Sequence, residues 1–282
     1  MASEIGNTQL DYTIPELWAE QVLAQVYQEQ SMVNRVDRVD GEVAAFGDIL
    51  HLSAMPTVSV NDVSAAGAVT NQQLSTTEAQ LTVDKWKEAT VEIVDKASAQ
   101  SKFNAVEGFK AAFPGALMQQ MEIDLLSLYS DVTTNVEGDG LSPINEDLIT
   151  AAIGDLLSAK FGAFLRDPNR VTLELHTSQW AAMKKIAGYN HANLTGSSVG
   201  GQLQFPVPDV YGVPVLFNTQ VQSSSSIYQN LLHLREAFAI GIQRNIQSET
   251  LARTALTTRI TAHCLYGVKT RAQARAVLIK TK

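Results

Sequence analysis

Between Leu52 and Leu81 the chain carries only two charged side chains, Asp62 and Glu78, in a stretch that alternates like a strand at both ends. Asp48-Ile-Leu-His-Leu-Ser53 reads as a strand, Met55-Pro56 breaks it and Thr57-Val-Ser-Val60 resumes it. After Ala65-Ala-Gly-Ala68 the chain returns through Leu81-Thr-Val-Asp-Lys-Trp86, and Ala89, Val91 and Ile93 then alternate with Thr90 and Glu92. A long hairpin of this kind cannot enclose a compact core of its own. Left in water, so uncharged a ribbon invites aggregation. It is therefore expected to lie on something else, and this narrows the choice of fold more than any motif does.

The rest of the chain can supply a core. Its 282 residues allow one large domain or two intimately joined ones, and 45% hydrophobic content excludes disorder. Charged residues make up 18%, against about 25% in ordinary soluble domains, which leaves more surface suited to subunit contact. The single cysteine, Cys264, excludes a cross-braced secreted scaffold. No run approaches the ~18 apolar residues of a membrane span, so no membrane partner is expected. Met1-Ala2-Ser3-Glu4 lacks the basic start of a signal peptide, so the chain is expected to stay in a reducing cytosol or to leave it by another route. Charge is unevenly placed: residues 235–282 carry nine Lys/Arg and two Asp/Glu, while the remainder has a net charge of −15. The basic end suits a polyanion, an acidic patch on a neighbour, or a merely solvated pair of strands, and all three remain open.

Other segments read more conventionally. Residues 1–13 are a polar arm, and Ile14-Pro15 opens a helix whose Trp18, Val22 and Val26 form one stripe. Residues 98–136 are helical in composition, with Met118, Met121, Leu125, Leu128 and Val132 as a seam and Phe113-Pro114-Gly115 expected to kink or divide the helix. A second helix starts at Asn145, with Leu148, Ile149, Ala152, Ile153, Leu156, Leu157 and Phe161 on one side. Val171, Leu173 and Leu175 alternate as a strand, and Thr177 or Ser178 is expected to cap a short helix containing Trp180, Met183 and Ile186. Residues 188–204 read as a loop, Tyr211–Phe217 as a strand and Ser223–Ser226 as a loop tip. In the last 48 residues Phe238, Ile240 and Ile242 alternate, then Ile260, Ala262, Cys264 and Tyr266 share a face opposite Arg259, Thr261 and His263, and Ala276–Ile279 forms a short final strand.

No active site assembles from these residues. The serines lack a Gly-x-Ser-x-Gly setting, and His51, His176, His191, His233 and His263 are scattered, without metal-ligand spacing. Cys264 reads as buried filler rather than a nucleophile. Glu122, Asp124, Asp147 and Asp155 read as solvated helix faces or dipole partners. Gly138-Asp-Gly140 lacks the Lys-Ser/Thr of a phosphate loop and reads as a turn. Asn193-Leu-Thr195 is a chance glycosylation triplet. Trp18, Trp86 and Trp180 are expected as packing anchors. The reading is accordingly non-enzymatic: no catalytic, cofactor-binding or metal residues, and no cofactor.

The order of parts resembles the major capsid (coat) proteins of tailed bacteriophages, which share the HK97-type shell fold. The residues that carry the likeness are Ile14-Pro-Glu-Leu-Trp18 before a helix, Gly47-Asp-Ile-Leu-His-Leu52 opening the hairpin, Thr57-Val58 with Asn61-Asp62, and Leu81–Trp86 returning toward Val94-Asp-Lys-Ala97. Asp209-Val-Tyr-Gly-Val-Pro-Val215, Arg235-Glu-Ala-Phe238 and Leu265-Tyr-Gly-Val268 extend it over nearly the whole chain. The resemblance implies an α+β, HK97-like capsid fold. Its parts are an N-arm over 1–46, an extended E-loop hairpin over 47–94, a P-domain spine helix over 95–141, an axial A-domain over 142–232 and P-domain C-terminal β-strands over 233–282. It further implies self-assembly into hexamers and pentamers of an icosahedral shell around double-stranded DNA, with the E-loop and N-arm over neighbours. The expected place is the virion, assembled in the host cytoplasm. Expected partners are a portal, a separate scaffolding protein or none, since no fused scaffolding segment precedes the arm, and non-specific contact with packaged DNA; decoration proteins stay open. Some members lock their shells with a Lys–Asn isopeptide bond from the E-loop. Residues 52–84 here contain no Lys, with Lys85 and Lys87 at the base, so covalent chainmail is not expected, and a cross-linked ladder by mass spectrometry would overturn this. Two rivals remain: an encapsulin-like compartment shell, and an oligomeric cytosolic α/β enzyme.

Overall fold

Period-two alternation in the second half of the chain builds two sheets. In a computed structural model the described residues are 32–43, 47–54, 58–63, 67, 71–73, 77–94, 105–186, 209–254 and 257–282. The arm at 1–13, the helix expected from Pro15, Trp18, His191, the Asn193 triplet and the loop with Gly188, Gly196, Gly200 and Gly201 lie outside them.

In the first sheet, strand β11 (Phe238–Thr254) pairs antiparallel with β12 (Thr257–Thr270). Along its other edge β12 pairs antiparallel with all ten residues of β4 (Lys85–Val94), and β1 (Asp37–Arg38) lies parallel to Ala239–Ile240. The order is therefore β1-β11-β12-β4. One face buries Phe238, Ile240, Ile260, Ala262, Cys264 and Tyr266. Against it packs α1 (Ala105–Leu126) through Phe113, Leu117, Met121 and Leu125. These four recur at a strict four-residue spacing, so the stripe begins earlier than the seam read from Met118, which is 40% exposed. Pro114 does not divide the helix: it forfeits one backbone bond, while Phe113 and Leu117 on either side remain buried.

The second sheet is built from β5 (Val136–Glu137), β6 (Val171–His176), β7 (Asp209–Val210), β8 (Val213–Asn218), β9 (Ser223–Ser224), β10 (Ile227–Leu234) and β13 (Ala276–Thr281). Its order is β5-β13-β10-β6-β8-β7, with β9 on β10. Helix α2 (Glu146–Ser158) covers one face with Ile149, Ala152 and Leu156; the Asn145 side chain caps it, accepting from the Leu148 amide at 2.9 Å. Leu157 is 53% exposed and does not belong to that stripe. The His176 ring caps the 3-10 turn Thr177–Gln179, accepting from the Ser178 amide, and the short helix α3 (Trp180–Met183) that follows starts from Gln179 with no side-chain cap, in place of the expected Thr177 or Ser178. Ser223–Ser226 forms half of a tight hairpin leading into β10, a strand absent from the sequence reading. Gly138 and Gly140 sit at positive φ in a turn, where a Cβ on Gly138 would stand 2.4 Å from the Lys280 carbonyl oxygen.

Strand β10 joins the two bodies: Leu231 belongs to the core under the first sheet, and Leu232 and Leu234 to the core under α2. The chain then passes through Arg235–Ala237 into β11. After β12 it returns to the second sheet as β13, between β5 and β10.

The charge-poor segment pairs as a hairpin at its base, but residues 58–63 form no strand where Thr57–Val60 was expected to resume one, and the return strand starts at Thr77, before Leu81. Strands β2 (Ile49–Ala54) and β3 (Thr77–Thr82) form a separate two-stranded ribbon, paired from Ile49↔Thr82 to Ala54↔Thr77. A small third core of Val39, Leu52, Leu81, Val83 and Ala239 fastens its base. There Gly267 of β12 lies so close that an added Cβ would stand 2.3 Å from the Thr82 carbonyl oxygen.

Candidate interaction surface

The ribbon's base is buried and its continuation is not. Leu52 and Leu81 are enclosed, whereas Val58, Val60 and Val63 are exposed, Val60 to 96%. The two arms still face each other there: the Ser59 amide donates to Gln72 Oε1 at 3.1 Å. At about 25 cal/mol per Å² of apolar area, covering such side chains is a driving force that the isolated chain leaves unused.

The second open surface is the face of the first sheet opposite α1. Alternation along β4 turns Trp86, Glu88, Thr90 and Glu92 outward, beside Arg259, Thr261 and His263 of β12. Trp86, Glu88, Thr261, His263 and Glu249 of β11 line a groove of ≈ 440 Å³. Trp86 meets the His263 ring edge-on at 6.5 Å, and its 71% exposure corrects the expectation of a packing anchor. The reason is register. The inward positions flanking it are Lys85 and Lys87, whose Nζ atoms both lie 3.8 Å from Asp124 Oδ2. Buried Tyr266 donates its hydroxyl to the same oxygen at 2.8 Å, and burial together with that carboxylate pushes the phenol up.

A third cluster lies where helix α1 meets the second sheet. Glu122, expected at a solvated face, is buried. Its Oε1 accepts from the Met32 amide at 2.8 Å and from Asn218 Nδ2 at 2.7 Å, and its Oε2 from the Val33 amide at 3.1 Å. The position lies beside Met121 and one turn before buried Leu126, so the carboxylate goes inward and its charge is met by converging N–H groups. Asp124 is likewise only slightly exposed and serves Tyr266 rather than solvent. Glu137 and Asp155 share a contact in which burial first, and then the Asp155 charge, raise the Glu137 carboxyl. On the second sheet His233 is fully buried, edge-on to Phe238 at 5.6 Å, and burial holds its imidazole down at about 4.

These groups do not converge into a reactive centre. His51 pairs with Glu78 at 3.1 Å on the ribbon, while His176 stacks on Tyr228 at 4.1 Å and bonds Ser178. Burial pushes the Cys264 thiol up to about 11, which disfavours the thiolate. Among the described residues no three His, Cys, Asp or Glu side chains are placed to hold a metal ion, and no helix is long and apolar enough to cross a membrane.

No family model matches the chain, and no curated protein matches it in sequence. Solved structures do match in shape. A chain from Mycobacterium phage Che8 superposes with a TM-score of 0.79 at 19% identity, covering 94% of this chain and 96% of that one. A chain of the bacteriophage PhiM1 mature capsid gives 0.76 at 10% identity, covering 95% and 92%. The capsid of an empty GTA particle gives 0.72 at 10% identity, covering 96% of both chains. The α+β fold of this chain is thus shared with these phage and GTA-particle chains.

Proposed function

We propose that a chain with this fold is itself a shell subunit, the major capsid protein of a tailed phage or of a related GTA-type particle. It assembles with copies of itself into hexamers and pentamers around double-stranded DNA, and its place is the virion. One observation carries the reading: the chain matches chains of phage and GTA capsids over nearly its whole length and, like an assembly part rather than an enzyme, leaves residues 58–63 uncovered. Within this reading residues 1–46 are the N-arm and 47–94 the E-loop, both lying over neighbours. Residues 95–141 hold the spine helix, 142–232 form the axial A-domain, and 233–282 close the P-domain. The positions of Lys85 and Lys87 over Asp124, on the inward side of β4, favour a shell without covalent cross-links. A separate scaffolding protein and a portal are the remaining proposed partners.

Sedimentation velocity on the purified chain, with electron microscopy of the pelleted material, tests this. Closed particles or tubes tens of nanometres across are expected on the scale of such shells, far beyond a ~13 Å radius for a 100-residue domain. A discrete dimer-to-hexamer peak that persists when a scaffolding protein is co-expressed would sink the proposal.

A further inference from the structure

Of the nine Lys/Arg of the chain's end, five lie along its strands, and Arg235, Arg271, Arg275 and Lys282 lie off them. Three of its cations are neutralised locally: Arg259 by Glu92, Arg271 by Asp37 at 2.6 Å, and Arg275 by Glu236 at 3.8 Å. The last two belong to a larger gathering at the junction of the two sheets. Arg170 also bonds Glu236, so two guanidiniums share one carboxylate. Both also lie over the Phe164 ring, Arg170 at 4.2 Å and Arg275 at 5.8 Å. The Arg235 amide donates to the Arg170 carbonyl at 2.7 Å, the Arg271 amide to the Ala237 carbonyl at 2.8 Å, and Arg35 Nη1 to the Pro168 carbonyl at 3.2 Å. Arg166 stands on the same turn as Phe164. Six of the chain's ten arginines thus belong to segments that meet at one junction; with Asp37, Asp167, Glu236 and Asp131, which bonds Thr270 beside Arg271, the local excess is two positive charges on a chain of net charge −8.

We propose that this junction is where the subunit meets nucleic acid, through the backbone phosphates of a duplex. The inference rests on the shell reading and adds the face that turns toward the packaged DNA. Arginine's planar fork fits phosphate oxygens two at a time, and rings beneath Arg170 and Arg275 restrict their guanidiniums before any anion arrives. Guanidiniums drawn from four separate segments, around 35, 166–170, 235 and 271–275, suit a repeating anion. Elsewhere the acidic balance of the chain repels a duplex, so contact is confined to this junction. No base-reading is involved, and binding is independent of sequence and steep in salt.

Fluorescence anisotropy of a labelled mixed-sequence duplex with the purified chain, over a salt series, tests the proposal. The duplex is expected to bind with a salt dependence that Arg166→Ala plus Arg235→Ala reduces by about 0.9 in log–log slope for each phosphate that is no longer neutralised. Both residues are exposed, so the fold is kept. Arg244→Ala plus Lys269→Ala removes the same charge from exposed sites of the first sheet and is expected to leave affinity within about twofold, the size of a general-charge effect alone. Equal reductions in the two double variants, or no salt-sensitive binding, would overturn the proposal. So would preferential binding of a peptide of residues 1–31, which has five carboxylates and no Lys or Arg. Particles that form from a chain unable to bind duplex would remove this inference and leave the shell reading standing; duplex binding by a chain that never assembles would do the reverse.

Discussion

Three hydrogen-bond donors converge on the carboxylate of Glu122 and tie the segment at Met32–Val33 to helix α1 and to Asn218 of β8. Removing the carboxylate leaves two backbone amides and a side-chain amide inside the protein without their acceptor. Glu122→Ala is therefore expected to lower the stability of the unassembled subunit by about 3 kcal/mol, read from urea unfolding. His233 gives a pH signature. Its imidazole is held near 4 in the fold and returns to 6.5 when unfolded. Between those values the unfolded chain binds more protons, so this contribution is whole above pH 6.5 and is lost as pH falls toward 4. The loss amounts to about 3 kcal/mol. His233→Gln should flatten the stability profile over that window, and an unchanged acid slope would refute the assignment. Neither residue was legible beforehand. A carboxylate or a histidine in a sequence implies water, and the donors that make burial tolerable come from distant segments, as Met32 does for Glu122 across 90 residues.

At the scale of elements, legibility followed one-sided burial. Strand β4 is covered on a single face, and β12 is too until the ribbon's base covers Leu265 and Gly267, so their alternation could be read directly, and the charge-poor ribbon announced itself by composition. Strand β10 is covered on both faces. Gln229, Asn230 and His233 are buried along with its leucines, and the period-two signal vanishes. The turn that leads into β10 shows another limit. Ser225 and Ser226 have φ of 53° and 66°, a two-residue hairpin of the kind that glycine or asparagine normally occupies, so four serines in a row read only as a loop. Ser226→Gly relieves the left-handed conformation and is expected to raise thermal stability by about 1 kcal/mol, a gain visible as a higher Tm.

For the whole molecule, the proposed shell role would make the ribbon separate the stability of the single chain from its assembly. Val60 is almost fully exposed, so Val60→Asp should leave the unfolding free energy within about 0.5 kcal/mol. In an assembly that covers the ribbon, the same carboxylate would be desolvated, and particle yield by sedimentation should fall sharply. Limited proteolysis should cut residues 58–63 in the free subunit and spare them in particles; equal cutting in both would mean that the ribbon is not an interface.

The close approach at the ribbon's base also limits evolutionary drift. Sequences can diverge until only a tenth of the residues agree, as they do between this chain and others of its shape. Position 267 has no such latitude. With the Thr82 carbonyl where a methyl group would have to go, any descendant that keeps the ribbon at this angle inherits a residue without a side chain there, and a lineage that lost that glycine would have to re-aim the ribbon and rebuild the whole surface presented by its tip.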